Sequence, residues 1–404
     1  MRIRTTTDQD LGVFVDTMHL AFGRFPETPT EEGGLWWSAL EMDRALLAET
    51  DDGQPVGTAA AYSFELTLPG EVIVPAAGVT AVGVVPSHRR RGVLSAMKRH
   101  QLAELRERGE FLSVLLASEA LIYRRFGYGP ATYTRRLTVP RRRAALAEPR
   151  GRTAGPDTGS VEVLRRERCG DLLEEIYDRY RRTQPGALSR PNRWWARSAG
   201  QPPVSRAPRY VAVHRDADGV PDGYASYSLD DSRNLTVDET IATDDAAVSA
   251  LTRFVLGHDI VTDVVFRHHA PGHPLRWQLA DFRAGQVSEE TDWLWVRLLD
   301  VPRALTARGW FTDGEIVLDV TDPFLGEHGR HLLTVRDGKA ECTPTDREPD
   351  LSMDIGDLGS VYLGGTAPST LVRAGHVRAH RPGAAVLADA LFGTDRPPHC
   401  LHWF

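Results

Sequence analysis

The clearest chemistry in the chain lies in a basic turn reading Val82-Gly83-Val84-Val85-Pro86-Ser87-His88-Arg89-Arg90-Arg91-Gly92-Val93-Leu94-Ser95. The valine-rich run over 79–85 predicts a strand buried on both faces, and Leu94, Met97, Leu102 and Leu105 predict a helix over 92–108. Where such a helix begins, its first N–H groups lack partners and the positive end of its dipole faces the same point. That arrangement binds phosphate. The arginines add attraction, and Gly92 lets a pyrophosphate approach the backbone with no Cβ in the way. As a short motif it also fits a solvated basic helix start.

One strand further on, Ala117-Ser118-Glu119-Ala120-Leu121-Ile122-Tyr123 predicts a short helix carrying Tyr123, closed by glycines at 127 and 129. A phenol with an ordinary pKa of about 10 stays protonated at neutral pH and can donate to a departing thiolate. The last residues, Leu401-His402-Trp403-Phe404, are too apolar for a solvated tail and predict a docked terminus. Phe22, Phe25, Trp36, Trp37 and Trp403 offer aromatic surface for an acceptor pocket. His268, His269 and His273 have no acid or cysteine at ligand spacing, so they read as loop histidines and no metal is expected.

These groups need elements to hold them. The sequence predicts a strand over 2–5, a helix over 8–22, an amphipathic piece around Trp36 and Trp37, and strands over 45–49 and 56–68 joined by Asp51-Asp52-Gly53-Gln54-Pro55. The strand at 79–85, the helix at 92–108 and a strand at 111–117 then form a crossover with parallel neighbours. A linker follows near 140–159, where Arg141-Arg142-Arg143 gives way to Ala, Pro, Gly and Thr. The region 160–291 repeats the alternation, with helices at 171–182 and 245–256 and strands at 210–213, 223–229 and 261–266. Its strand at 263–266 leads into a segment with two prolines and no Arg-x-x-Gly turn, so no second phosphate cradle is expected there. From 292 a mixed region carries strands at 293–299, 315–320 and 331–335 and helices at 301–308, 357–363 and 369–374.

At 404 residues the chain is long enough for two or three domains of about 150 residues. Its 48 Lys+Arg against 55 Asp+Glu, a formal charge of -7, argue against a whole-chain grip on nucleic acid or an anionic membrane. The three cysteines, Cys169, Cys342 and Cys400, form no disulfide framework or zinc motif. With no signal-like start and no run near 18 apolar residues, a cytoplasmic location without stable membrane association is the expectation.

Arg89-Arg90-Arg91-Gly92-Val93-Leu94 resembles motif A of the GNAT acyltransferases, R-x-x-G-x-G/A, except at its last position. The chain as a whole resembles the Eis ("enhanced intracellular survival") family of GNAT N-acetyltransferases. The resemblance rests on 88–92, on Ser118-Glu119, on Ile122-Tyr123 and on Phe126-Gly127-Tyr128-Gly129-Pro130-Ala131-Thr132. It extends to Cys342-Thr343-Pro344-Thr345-Asp346 and Gly359-Ser360-Val361-Tyr362-Leu363-Gly364. It implies a chain of α/β and α+β class. A catalytic GNAT domain would span 1–146, a GNAT-like domain without a cofactor motif 147–291, and a sterol-carrier-protein-like domain 292–404, its terminus entering the active site. It further implies that Val82, Gly83, Val84, Arg90, Arg91, Gly92, Val93, Leu94, Ser95, Ser118 and Glu119 contact acetyl-CoA. Tyr123 would be the general acid, the Phe404 α-carboxylate the general base, and the assembly a homohexamer. The acceptors implied are aminoglycoside-like polyamines or lysine side chains. The chain departs from aminoglycoside-modifying members at Arg24 and Trp403, two places where an acid would gather a cationic amine. A second reading makes the last domain a carrier of lipid or another apolar ligand, with the first domain vestigial.

Overall fold

The structure, a computed structural model, describes residues 1–23, 40–147, 159–195 and 210–404. The N-terminal part runs β1 (Arg2–Thr5), α1 (Leu11–Phe22), β2 (Ala45–Glu49), β3 (Pro55–Leu68), β4 (Val72–Val84), α2 (Val93–Glu107), β5 (Leu112–Leu116), α3 (Ala120–Arg124), β6 (Gly129–Pro130) and β7 (Tyr133–Pro140). Strand β4 begins seven residues before the expected start. Pro75 and Gly78 obscure its apolar pattern, but β3 pairs with it along nearly its whole length. A tight turn at Gly70 and Glu71, both at positive φ, joins the two strands.

The middle part adds β8 (Ser160–Arg165), α4 (Leu172–Thr183), α5 (Asn192–Trp195), β9 (Tyr210–Arg215), β10 (Pro221–Leu229), β11 (Asn234–Ala242), α6 (Asp245–Leu256), β12 (Asp263–His269), α7 (Leu275–Gln278), β13 (Gln286–Asp292) and β14 (Leu294–Leu298). Among the described residues, one sheet has the order β1-β2-β3-β4-β5-β14-β6 and a second the order β13-β7-β12-β11-β10-β9-β8. Each contains one parallel pair, β4 with β5 and β11 with β12. The two folds exchange strands. β7, which precedes the expected linker, pairs with β12, while β14, which follows the second sheet in sequence, pairs with β5. Sheet membership therefore does not follow chain order across 146/147 or 291/292.

The last part comprises α8 (Val301–Ala307), β15 (Gly314–Asp322), β16 (Glu327–Arg336), β17 (Lys339–Pro344), β18 (Leu351–Asp354), α9 (Ile355–Tyr362), α10 (Pro368–Arg373), β19 (Arg378–Ala379) and α11 (Ala384–Phe392). Its sheet, β17-β16-β15-β18-β19, shares a continuous apolar core with the first sheet: Phe14, Tyr62, Val296, Leu358 and Cys400 belong to one cluster. Helix α9 lies close against the first sheet because it carries glycines at the contact. A Cβ on Gly359 would fall 2.2 Å from the Val296 carbonyl oxygen, and one on Gly129 would fall 1.9 Å from that of Gly356. The Gly359-Ser360 motif is thus a packing requirement.

Candidate active site

The cleft opens where β4 and β5 part. Their parallel ladder ends at Val79 opposite Leu115. Just beyond, Ala81 adopts a left-handed φ of 51° at a bulge against β3, held by a 2.8 Å hydrogen bond from the Thr58 hydroxyl to its carbonyl. Gly83 and Val84 stay paired with β3 on one side while Val82 falls at the bulge, and the other edge of the three, past the ladder's end, is partly exposed toward the gap. A Cβ on Gly83 would lie 2.8 Å from that of Ala21 and 3.6 Å from the Phe22 ring, so the end of α1 and Phe22 border β4 directly.

The basic turn divides its labour. Arg89 donates from Nε to the Val84 carbonyl at 3.1 Å and from a terminal nitrogen to the Ala21 carbonyl at 2.6 Å, which clamps the turn to β4 and α1. Arg90, at a φ of 61°, and Arg91 are exposed. Gly92 caps α2 at a φ of 83°, where a side chain would be strained although nothing stands within 4 Å of its Cβ position. The first-turn N–H groups of Val93, Leu94 and Ser95 follow it.

On the β5 side, Ser118 and Glu119 are exposed and Glu119 occupies the N-cap position of α3. Tyr123 is buried, and its hydroxyl shares a hydrogen bond with the Ser118 side chain. Burial raises its pKa and outweighs that bond, so the phenol keeps its proton. The segment is fixed from β14: Arg297, fully buried, donates to the Phe126 carbonyl and pairs with Asp322. Gly127, at a φ of 76°, has no room for a side chain because the Arg297 guanidinium and Ile355 occupy it. Arg124 pairs at 2.6 Å with Asp357 of α9. Lys98 of α2 is buried, 2.8 Å from Gln101 Oε1 and 3.2 Å from the Tyr128 hydroxyl, which bonds to Ser113 at 2.7 Å. Burial first, then Arg297, brings the Lys98 pKa down to about 7.

The terminus docks on the same sheet. The Phe404 ring meets Phe64 edge-on at 5.0 Å and stacks on His402 at 5.9 Å, beside Gly78 of β4, where a Cβ would strike the Phe64 ring. Tyr62, Phe64 and Trp194 complete this aromatic cluster. The tail reaches it along residues 184–190, which run beside β3. His399 N–H donates to the Pro185 carbonyl at 2.8 Å, and Gln184 donates to that of Pro397 at 2.9 Å. Nothing local in the sequence marks Tyr62, Phe64, Trp194 or Arg297, whose roles depend on partners remote in the chain. Of the expected acceptor residues, Phe22 lies at the cleft and Trp403 is partly buried beside the terminus, while Arg24, Phe25, Trp36 and Trp37 fall outside the described residues.

The middle fold needs two corrections. Its counterpart of β4 is β11, which has no place among the expected strands, and the expected strand at 263–266 is the counterpart of β5. At the position that Gly92 holds in the first fold, α6 is capped by Asp244, whose side chain accepts from Ala247 N–H. His268 and His269 also stand on β12 and not in a loop.

Residues 2–131 and 186–298 match acetyltransferase (GNAT) domains, and residues 301–401 match the sterol carrier protein domain. An uncharacterized N-acetyltransferase of Streptomyces avermitilis is 37% identical over all of this chain and 98% of its own. The N-acetyltransferase Eis of Mycobacterium tuberculosis is 36% identical over 91% of each chain. The crystal structure of Eis1 from Mycobacterium abscessus superposes with a TM-score of 0.87 at 34% identity, covering 100% of both chains.

Proposed function

Because the chain belongs to the Eis family of GNAT N-acetyltransferases, we propose that it moves an acetyl group from acetyl-CoA directly to a primary amine, with Tyr123 as general acid and the Phe404 carboxylate as general base. The observation that carries this reading is the parting of β4 and β5, bordered by the glycine-capped start of α2, by Tyr123 and by the sheet face on which Phe404 docks.

These residues fit the co-substrate. The edge of Val82, Gly83 and Val84 beyond the ladder can pair with an extended amide-bearing arm, and the N–H groups after Gly92, with Arg90 and Arg91, suit a pyrophosphate. Ser118 and Glu119 line the opposite wall. The terminal carboxylate takes the proton from the acceptor nitrogen as that nitrogen attacks the thioester carbon; a main-chain N–H of 82–84 steadies the developing oxyanion. As the carbon–sulfur bond breaks, Tyr123 delivers its hydroxyl proton to the sulfur, and burial has kept that proton in place. Tyr62, Phe64, Phe22 and Trp403 form the acceptor's aromatic surroundings, suited to amines carried on aminoglycoside-like rings or lysine side chains. We extend the reading to a cytoplasmic homohexamer, which sedimentation velocity tests.

The assay combines acetyl-CoA, a thiol reporter and a panel of polyamines, aminoglycosides and lysine peptides. Tyr123→Phe lowers kcat by about 10²–10⁴-fold with little change in the KM for acetyl-CoA, the range for loss of a general acid. Two glycines added after Phe404 have a comparable effect. Full activity in both variants would mean the mechanism is wrong.

A further inference from the structure

The middle fold keeps the parted strands of the first but rebuilds what surrounds them. The β11–β12 ladder ends at Val237 opposite Phe266, and beyond it lies a cavity of about 200 Å³. Its walls are the far ends of both strands, the start of α6, Tyr180 and Gln184 of the α4 region, and the tail at Arg396, Pro397 and His399. This is the position that the cofactor cleft holds in the first fold, yet it is closed to a pyrophosphate, because Asp244 caps α6 and Asp245 stands in its first turn.

What lines it instead is imidazole. His269 is 7% exposed and His399 5%, and the Nε2 of each has no hydrogen-bond partner among the described residues; neither ring nitrogen of His268 has one. His273 accepts from Leu275 N–H through Nδ1, so its proton sits on Nε2, and its ring lies 4.4 Å from that of His269. Buried polar nitrogens left unpaired are costly, about 1–3 kcal/mol each, so four of them on three rings around one cavity point to a ligand. Burial, followed by neighbouring positive charge, draws the pKa of His268 down to about 4, and burial draws that of His399 down to about 3. These rings are therefore neutral at pH 7 and each offers a lone pair. Asp244 and Asp245 lie exposed at the mouth. Two arginines also line the cavity, Arg267, paired at 3.6 Å with Asp238, and Arg396, exposed on the tail; against them stand the lone pairs inside and the carboxylates of Asp244 and Asp245 outside, which favour a cation. No group of three or more ligating side chains among the described residues can hold a metal ion.

We propose that this cavity binds a small organic cation bearing a primary ammonium group, which donates to the unpartnered imidazole nitrogens of His268, His269 and His399. Asp244 and Asp245 gather it by charge. The assignment is independent of the transfer mechanism, since it uses none of the groups at the β4–β5 cleft.

Isothermal titration of the full chain with 1,4-diaminobutane tests it, with zinc chloride and citrate as separate arms. The expected result is saturable diamine binding that weakens at least tenfold in His269→Asn and in Asp245→Asn. Acetyl-CoA affinity, measured on the same samples as a check of folding, should stay within twofold. Diamine binding that is absent, or equal in wild type and both variants, overturns the proposal. So does histidine-dependent binding of zinc or citrate in place of the diamine.

Discussion

Lys98 is the residue whose environment departs furthest from its sequence appearance. On a helix rich in arginine and glutamate it reads as a surface charge, yet it is fully buried with a pKa near 7. Its unfolded counterpart titrates near 10.4. Between those values the unfolded chain holds the proton and the folded chain does not, so stability rises with pH; below about 7 both hold it and the dependence vanishes. Relative to Lys98→Met, the wild type should therefore gain about 1.4 kcal/mol per pH unit between pH 7.5 and 9.5, read from urea unfolding at each pH. A flat difference would mean that the buried amine stays charged. Tyr123, by contrast, was legible from its neighbours, because the glycines and the preceding strand announce its helix locally. Lys98 was not, since only the packing of α2 on Tyr128, Ser113 and Gln101 reveals it.

At the scale of elements, the short helix carrying Tyr123 is held by others far along the chain. Arg297 of β14 grips its C-terminal turn, and Asp357 of α9 grips Arg124. Gly127→Ala would combine a left-handed backbone with a collision against the Arg297 guanidinium. A loss of about 2 kcal/mol or more is expected in thermal unfolding, together with a fall in kcat larger than any rise in acetyl-CoA KM. An unchanged melting temperature would show that Arg297 swings away freely. The basic turn and α2 emerged from the sequence within a residue or two because capping and helical period are local signals. β11 did not: its run Asn234–Ala242 mixes polar and apolar residues, and it becomes a central strand through its partners β10 and β12.

For the whole molecule, the exchange of β7 and β14 means that neither GNAT fold closes alone. A fragment ending at residue 146 leaves the apolar strand β5 without β14 and β7 without its sheet, so it should aggregate. A fragment of residues 1–299 completes both sheets and should elute as a folded species on size-exclusion chromatography, though without the tail that docks at the cleft. A monomeric 1–146 fragment that binds acetyl-CoA would show the exchange to be dispensable. The exchange also sets a clock on synthesis. β5 ends at Leu116 and β14 at Leu298. At 5–20 residues per second the ribosome takes roughly nine to thirty-six seconds to make the intervening chain. Throughout that interval the nascent first sheet carries an open apolar edge beside its parallel pair, so the yield of folded enzyme depends on the pace of translation as well as on the stability of the finished fold.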